Sequence, residues 1–137
     1  KGTSIMMLDI DNFKSINDNW GHLVGDRVIL AVVDIIKDSI RDNDIFARLG
    51  GEEFGLLLPD TDGKQAIAVA ERIRQNVQQR TGPGYHYALP VKITLSIGVC
   101  SAIQNNVNGN DIMRDVDEAL YEAKHNGKNR IVTRQAE

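Results

Sequence analysis

Acidic side chains stand beside a tight turn twice in this chain, in Leu8-Asp9-Ile10-Asp11-Asn12-Phe13-Lys14 and in Arg48-Leu49-Gly50-Gly51-Glu52-Glu53-Phe54. In the first stretch an apolar run stops on an aspartate. In the second, paired glycines precede paired glutamates between two apolar runs. If those runs are neighbouring strands, Asp9 and Glu52 or Glu53 converge on one point at the edge of the sheet. Gathered carboxylates repel one another unless a cation joins them. Hard oxygen ligands that leave room for substrate phosphates suit Mg²⁺. Such a cluster is equipped for metal-assisted phosphoryl chemistry.

Each feature also has an ordinary explanation. A lone Asp9 is a carboxylate ending a strand beside a turn. Gly50 and Gly51 suit a tight hairpin that needs positive φ, and equally a surface where a ligand lies against bare backbone. Asn12-Phe13-Lys14 reads as a turn with outward amides, a nest for phosphate oxygens, and Lys14 adds charge there or is plain solvated surface. Lys124 and Lys128 bracket the end of a helix, where cations are favoured on dipole grounds alone. Arg41-Asp42-Asn43-Asp44 is a common surface pattern.

The elements that must position these groups follow from periodicity. Ile5-Met6-Met7-Leu8 is a short apolar run, expected as a strand buried on both faces. Asp26 to Ile40 reads as a helix, with Val28, Ile29, Val32, Ile36 and Ile40 on one face. Ile45–Leu49 and Phe54–Leu58 form a hairpin around the glycines, ended by Pro59. Asp62 with Gln65 is a capping box opening a helix to about Gln79, its inner face Ala66, Val69, Ala70, Ile73 and Val77. Alternation from Val91 through Ile93, Leu95 and Ile97 to Val99 predicts a strand. Asn105–Asn110 reads as a polar loop. Asp111–Asn126 is a third long helix with Gly127 as its C′ residue, and Ile131-Val132-Thr133 adds an edge strand. Strand, helix, hairpin, helix, strand, helix is an α+β order, with helices covering an antiparallel-containing sheet.

At 137 residues the chain is one domain, 1–137, able to bury a single core. Sixteen basic and nineteen acidic side chains give a net charge of −3, with no basic tail to wrap a nucleic-acid backbone. Aromatics are too sparse for a base-stacking platform. The single cysteine, Cys100, forms no internal disulfide and fits a reducing, cytoplasmic compartment as a small apolar strand residue. No apolar run approaches the roughly 20 residues of a membrane helix.

Gly50-Gly51-Glu52-Glu53-Phe54 resembles the variant signature of the GGDEF-domain diguanylate cyclases. The run from Asp9-Ile10-Asp11-Asn12-Phe13-Lys14 through Asn17 and Gly21-His22 to Gly25-Asp26 is similar, in order and spacing, to that family's other long motif. The resemblance extends from about Ile5 to Ile131. It implies the ferredoxin-like palm of nucleotidyl cyclases, which pattern alone does not select. It also implies condensation of two GTP into cyclic di-GMP and two pyrophosphates across a protomer pair, so a homodimer is needed for turnover. Family members carry an Asp-x-Leu-Thr-x-Leu-x-Asn-Arg segment and a helix upstream. Their absence marks the chain as an expected fragment, with any sensor or membrane anchor lying upstream.

By the same resemblance, Asp9, Glu52 and the backbone carbonyl of Ile10 hold Mg²⁺ (Mn²⁺ as a substitute), with Glu53 as a second contributor. Glu52, Glu53 and Lys14 are the catalytic set, Lys14 stabilising transition-state charge. Asn12, Phe13, Gly50 and Gly51 line the substrate. Asn17 and Asp26 read the base, because a carboxylate accepts from both N1–H and the N2 amino group of guanine. His22 orders its loop and touches substrate. Lys124 and Lys128 grip the terminal phosphates; many relatives have Arg where Lys128 stands, so charge is kept and bidentate geometry lost. Arg41 and Asp44, with Arg72 as a further contact, form an inhibitory product site for cyclic di-GMP. The alternative is a catalytically silent module that binds GTP or cyclic di-GMP without turnover.

Overall fold

The computed structural model describes residues 2–103 and 108–135. Nine elements follow one another: β1 (Thr3–Ile10), α1 (Phe13–Trp20), α2 (His22–Asp38), β2 (Ile45–Gly50), β3 (Glu53–Leu58), α3 (Gly63–Arg80), β4 (Leu95–Ile103), α4 (Gly109–His125) and β5 (Arg130–Gln135). The strands make one sheet in the order β2-β3-β1-β4-β5. The apolar run of β1 is explained by its central place, since Met6 to Ile10 are no more than 6% exposed. β1 pairs antiparallel with β3 and β4, β2 antiparallel with β3, and β5 parallel to β4. This is the expected α+β palm, its sheet mostly antiparallel. One geometric consequence matters for function: the end of β1 meets the starts of β3, β4 and β5.

Two cores flank the sheet. Met6, Leu8 and Ile10 point with Phe54, Leu56, Leu95 and Ile97 toward α2 and α3, where Val28, Val32, Ile36, Ala70 and Ile73 close the larger core. On the other face Met7 and Cys100 meet Ile112, Val116 and Leu120 of α4. Burial pushes the Cys100 thiol pKa up, as befits a packing residue. The α4 backbone passes directly over Gly98, where an added Cβ falls 2.7 Å from the Val116 carbonyl oxygen and closer still to the Leu120 nitrogen.

Several boundaries differ from the periodicity. Phe13 and Lys14 belong to α1, not to a turn; the turn is Asp11-Asn12, with Asn12 at φ 59°. A helix this short buries only Ile16, too little to register as a repeat. α2 begins at His22 and ends at Asp38, leaving Ile40 beyond its Ser39 cap. Val91 to Thr94 precede the strand: Ile93 is buried, but its N–H donates to Thr81 Oγ1 at 2.9 Å instead of a ladder carbonyl. Alternation reported burial there, and hydrogen bonding did not follow. Of the expected 105–110 loop, residues 105–107 lie outside the described residues, Asn108 caps α4, and Gly109 and Asn110 are already helical. Both bonds of the Asp62/Gln65 capping box are present.

Gly98→Ala is expected to lower stability by about 1–3 kcal/mol, the usual penalty for overpacking against a fixed neighbour. Urea unfolding checks it, with wild-type stability as the contrary result.

Candidate active site

The site grows from the last residues of β1. Asp9 is 6% exposed and stands opposite Glu53 in one ladder and Ser96 in the other. The Ile10 N–H donates to the Glu52 carbonyl at 3.1 Å, which ties the hairpin tip to the end of β1. That tip is distorted by a register shift between Arg48 and Gly50. Arg48 fastens it, donating from Nε and Nη2 to the Gly51 carbonyl at 3.0 and 2.7 Å. Only Gly51 has positive φ, 31°. Gly50 has none, so the hairpin explanation holds for one glycine. An added Cβ at either position meets nothing within 4 Å, so open space lies before both.

A cleft of about 220 Å³ is lined by Asp9, Ile10, Asp11, Asn12, Phe13, Lys14, Glu52, Lys124 and Lys128. Asp9, Asp11 and Glu52, the end of β1 at Ile10 and three lysines from distant parts of the sequence therefore share one cavity. Glu53 is not among the lining residues, and among the described residues no three His, Cys, Asp or Glu side chains gather closely enough to hold a metal ion. The expected three-carboxylate cluster reduces to Asp9 and Glu52 with the Ile10 backbone. One or two carboxylates plus phosphate oxygens are a donor set that Mg²⁺ accepts, so the residues present fit the ion.

Asp9 Oδ2 accepts from the Lys124 ammonium at 2.5 Å. Burial raises the Asp9 pKa above the ordinary carboxylate value; the Lys124 pair opposes this, and the fields of Glu52 and Glu53 add to it. Lys124 reaches Asp9 from the last turn of α4. That helix ends in a Schellman turn, Gly127 at φ 125° and the Lys128 N–H donating to the Ala123 carbonyl at 3.0 Å. Lys128 Nζ donates to Asn12 Oδ1 at 2.7 Å. Lys128 and Asn129 both have left-handed backbones, φ 63° and 46°. For a residue such as lysine that conformation costs roughly 1–2 kcal/mol. Lys14 is 91% exposed on the rim and paired with Asp18 at 3.1 Å.

The base-reading candidates lie outside this cleft, where α1 meets α2. Asn17 packs against Gly25, and its Oδ1 is buried without a hydrogen-bond partner among the described residues. Asp26, the next residue, is exposed. His22 is exposed in the first turn of α2, so it belongs to a helix and not to a loop. Arg41, Asp44 and Arg72 cluster at the far end of β2. Arg41 donates to Asp44 from its backbone N–H at 2.8 Å and from Nη2 at 3.2 Å, and Arg72 Nη2 donates to the Ser39 carbonyl at 2.5 Å. Arg48 and Asp11 were not singled out from sequence. An arginine beside a glycine pair, and a second aspartate at the same strand end, were the available signals.

A carboxyl pKa raised by folding means the native state binds the proton more tightly than the unfolded chain. Native stability therefore falls as pH rises from the ordinary carboxylate value through the raised one, and stays lower above it. Asp9→Asn removes the buried charge. The variant is expected to unfold at higher urea than wild type at pH 7, with the gap closing as the pH is lowered toward 4. A gap that widens on acidification is the contrary result.

The family model "Diguanylate cyclase, GGDEF domain" matches residues 1–130. A probable diguanylate cyclase DgcT of Escherichia coli is 55% identical over 130 residues, which is 95% of this chain and 29% of that protein. Diguanylate cyclase A of Treponema denticola is 44% identical over 93% of this chain and 34% of its own length. The chain thus spans about a third of these curated relatives. Among solved structures, the GGDEF domain of DgcB from Caulobacter crescentus, in complex with c-di-GMP, superposes with a TM-score of 0.87 at 33% identity, over 96% of this chain and 77% of that one. The active GGEEF domain of a diguanylate cyclase from Vibrio cholerae gives 0.85 at 38% identity, over 97% and 83%. A family model spanning residues 1–130 and curated relatives up to 55% identical establish that this chain belongs to the GGDEF-domain family of diguanylate cyclases.

Proposed function

We propose that the chain is a catalytic domain that condenses two GTP into cyclic di-GMP, each protomer of a facing pair presenting one nucleotide. The observation that carries this is the single cleft shared by Asp9, the Ile10 backbone, Asn12, Lys14, Glu52, Lys124 and Lys128. In each half-reaction the 3′-hydroxyl of one GTP gives its proton to solvent as its oxygen bonds to the α-phosphorus of the other. The bond from that phosphorus to the bridging oxygen breaks, and pyrophosphate leaves with the electron pair.

Lys124 and Lys128 hold the terminal phosphates. Asn12 and the first turn of α1, carrying Phe13, present polar backbone to the phosphate oxygens, and Lys14 meets charge developing on the equatorial oxygens. Asp9, Glu52 and the Ile10 carbonyl would hold Mg²⁺ or Mn²⁺, which polarises the phosphate under attack. Glu53 acts through its field on that site. Lys124, paired with Asp9 in this structure, would turn to the phosphates when the nucleotide binds. Gly50 and Gly51 leave space for the nucleotide, and His22 closes its edge. Since one cleft holds one nucleotide, approximation of two protomers sets the rate through positioning.

The unpartnered Asn17 Oδ1 supports base recognition, because a buried acceptor without a donor invites an N–H from a ligand. With Asp26 beside it, guanine's donor edge is favoured over adenine. Arg41, Asp44 and Arg72, gathered away from the cleft, suit an inhibitory site for the product, with both arginines released from internal carbonyls. Among the described residues no helix is long and apolar enough to cross a membrane; we assign the domain's work to the cytoplasm, and any anchor to other segments.

The full chain incubated with GTP and Mg²⁺ or Mn²⁺ is expected to yield cyclic di-GMP at a rate rising steeply with protein concentration. Asp9→Asn and Glu52→Gln are each expected to reduce the rate about 100-fold or more. Absence of product at any concentration overturns the proposal, and binding without turnover supports the silent module instead. Asp26→Asn is expected to lower the preference for GTP over ATP by about tenfold, the scale of one unmatched polar contact. An unchanged preference removes Asp26 from base recognition.

A further inference from the structure

Asp11 is 6% exposed and lines the cleft, yet its carboxylate turns inward. Oδ1 accepts from Ser96 Oγ at 2.6 Å, and Oδ2 accepts from Thr94 Oγ1 at 2.7 Å and from the Asn129 N–H at 2.9 Å. Its own N–H donates to the Thr94 carbonyl at 3.0 Å. Three donors aimed at two oxygens leave little capacity for a cation. They join the end of β1, the start of β4 and the turn that carries Lys128.

That turn is held from its other side as well. Asn129 Oδ1 accepts from Arg74 Nη1 at 2.8 Å, and Arg74 is itself forked onto Glu71, with both bonds at 2.8 Å. Left-handed backbone at two successive non-glycine residues persists where the surroundings over-determine it. Here the surroundings are Asp11 and Arg74.

We propose that Asp11 is a positioning residue of the phosphate grip. By clasping the Asn129 amide it sets where the neighbouring Lys128 ammonium stands against Asn12 and the first turn of α1. The inference rests on the assignment of the cleft to GTP. It separates the two aspartates of the motif: Asp9 faces the substrate, whereas Asp11 holds the parts that do.

An amide can replace this carboxylate. The oxygen of Asp11→Asn accepts from the Asn129 N–H and the Thr94 hydroxyl, while its NH₂ donates to the Ser96 hydroxyl, which can accept. Calorimetry of the full chain with GTP and with GMP, both with Mg²⁺, tests the idea. Asp11→Ala is expected to weaken GTP binding about tenfold, the scale of one hydrogen bond to a charged group. GMP, which lacks the terminal phosphates, should change less than about twofold, and Asp11→Asn should return GTP affinity to within about threefold of wild type.

Unchanged GTP affinity in Asp11→Ala overturns the proposal. So does an equal loss for both nucleotides, and so does an Asp11→Asn variant as weak as the alanine, since charge and not clasping is then what matters. If Asp11→Ala does not fold, Thr94→Val removes one donor and is expected to weaken GTP about threefold with GMP unaffected; no change there is equally fatal. Wild-type protein that fails to bind GTP sinks the cyclase assignment and this inference with it, whereas failures confined to the variants sink the inference alone.

Discussion

A carboxylate buried at the end of the central strand is the constraint around which this domain is arranged. Asp9 is largely shielded from water where it stands, and two glutamates nearby raise the electrostatic cost of its charge. The chain answers with Lys124, delivered from the opposite layer by α4. Removing Lys124 would leave the buried carboxylate uncompensated, whereas removing Asp9 leaves a partly exposed ammonium that water can reach. The proposed cation site is thus one that already holds an ammonium ion in this structure.

Delivery of that lysine depends on packing some distance away. Gly98 lets the α4 backbone lie against β4, and the small core of Met7, Cys100, Val116 and Leu120 fixes the helix there. The Schellman turn and the Asp11 clasp then set the direction of the chain as it enters β5. Because β1 runs antiparallel to β3 and β4, every one of these termini falls at the same edge of the sheet. Topology gathers the groups, and local hydrogen bonds aim them.

Much of this was legible in the residues. The capping box at Asp62 and Gln65, the hairpin around Gly50-Gly51 and the apolar faces of α3 and α4 each rest on a local rule that tertiary context left standing. α1 was not legible, since eight residues with a single buried side chain carry no period. The early start of β4 was misjudged because Val91 and Ile93 alternate for burial while the Ile93 amide bonds a threonine hydroxyl. In the site, the family resemblance pointed to Asp9, Asn12, Phe13, Lys14, Glu52, Lys124 and Lys128, which line the cleft, and did not point to what braces it. Asp11 and Arg48 act through backbone groups of residues far away or in a distorted turn, and neither partnership is written in spacing. Glu53 stands opposite Asp9 in the ladder and adds to the field on it, yet it is not among the residues that line the cleft.

The left-handed pair Lys128–Asn129 carries a consequence for how such a turn can vary. Glycine at position 128 would relieve native strain while enlarging the ensemble of the unfolded chain, and these two effects oppose each other. A side chain can therefore persist there at small net penalty, and with it the ammonium that reaches Asn12. The folded contacts of Asp11 and Arg74 hold this corner in place, while its stability also reflects the freedom that a non-glycine residue denies the denatured chain.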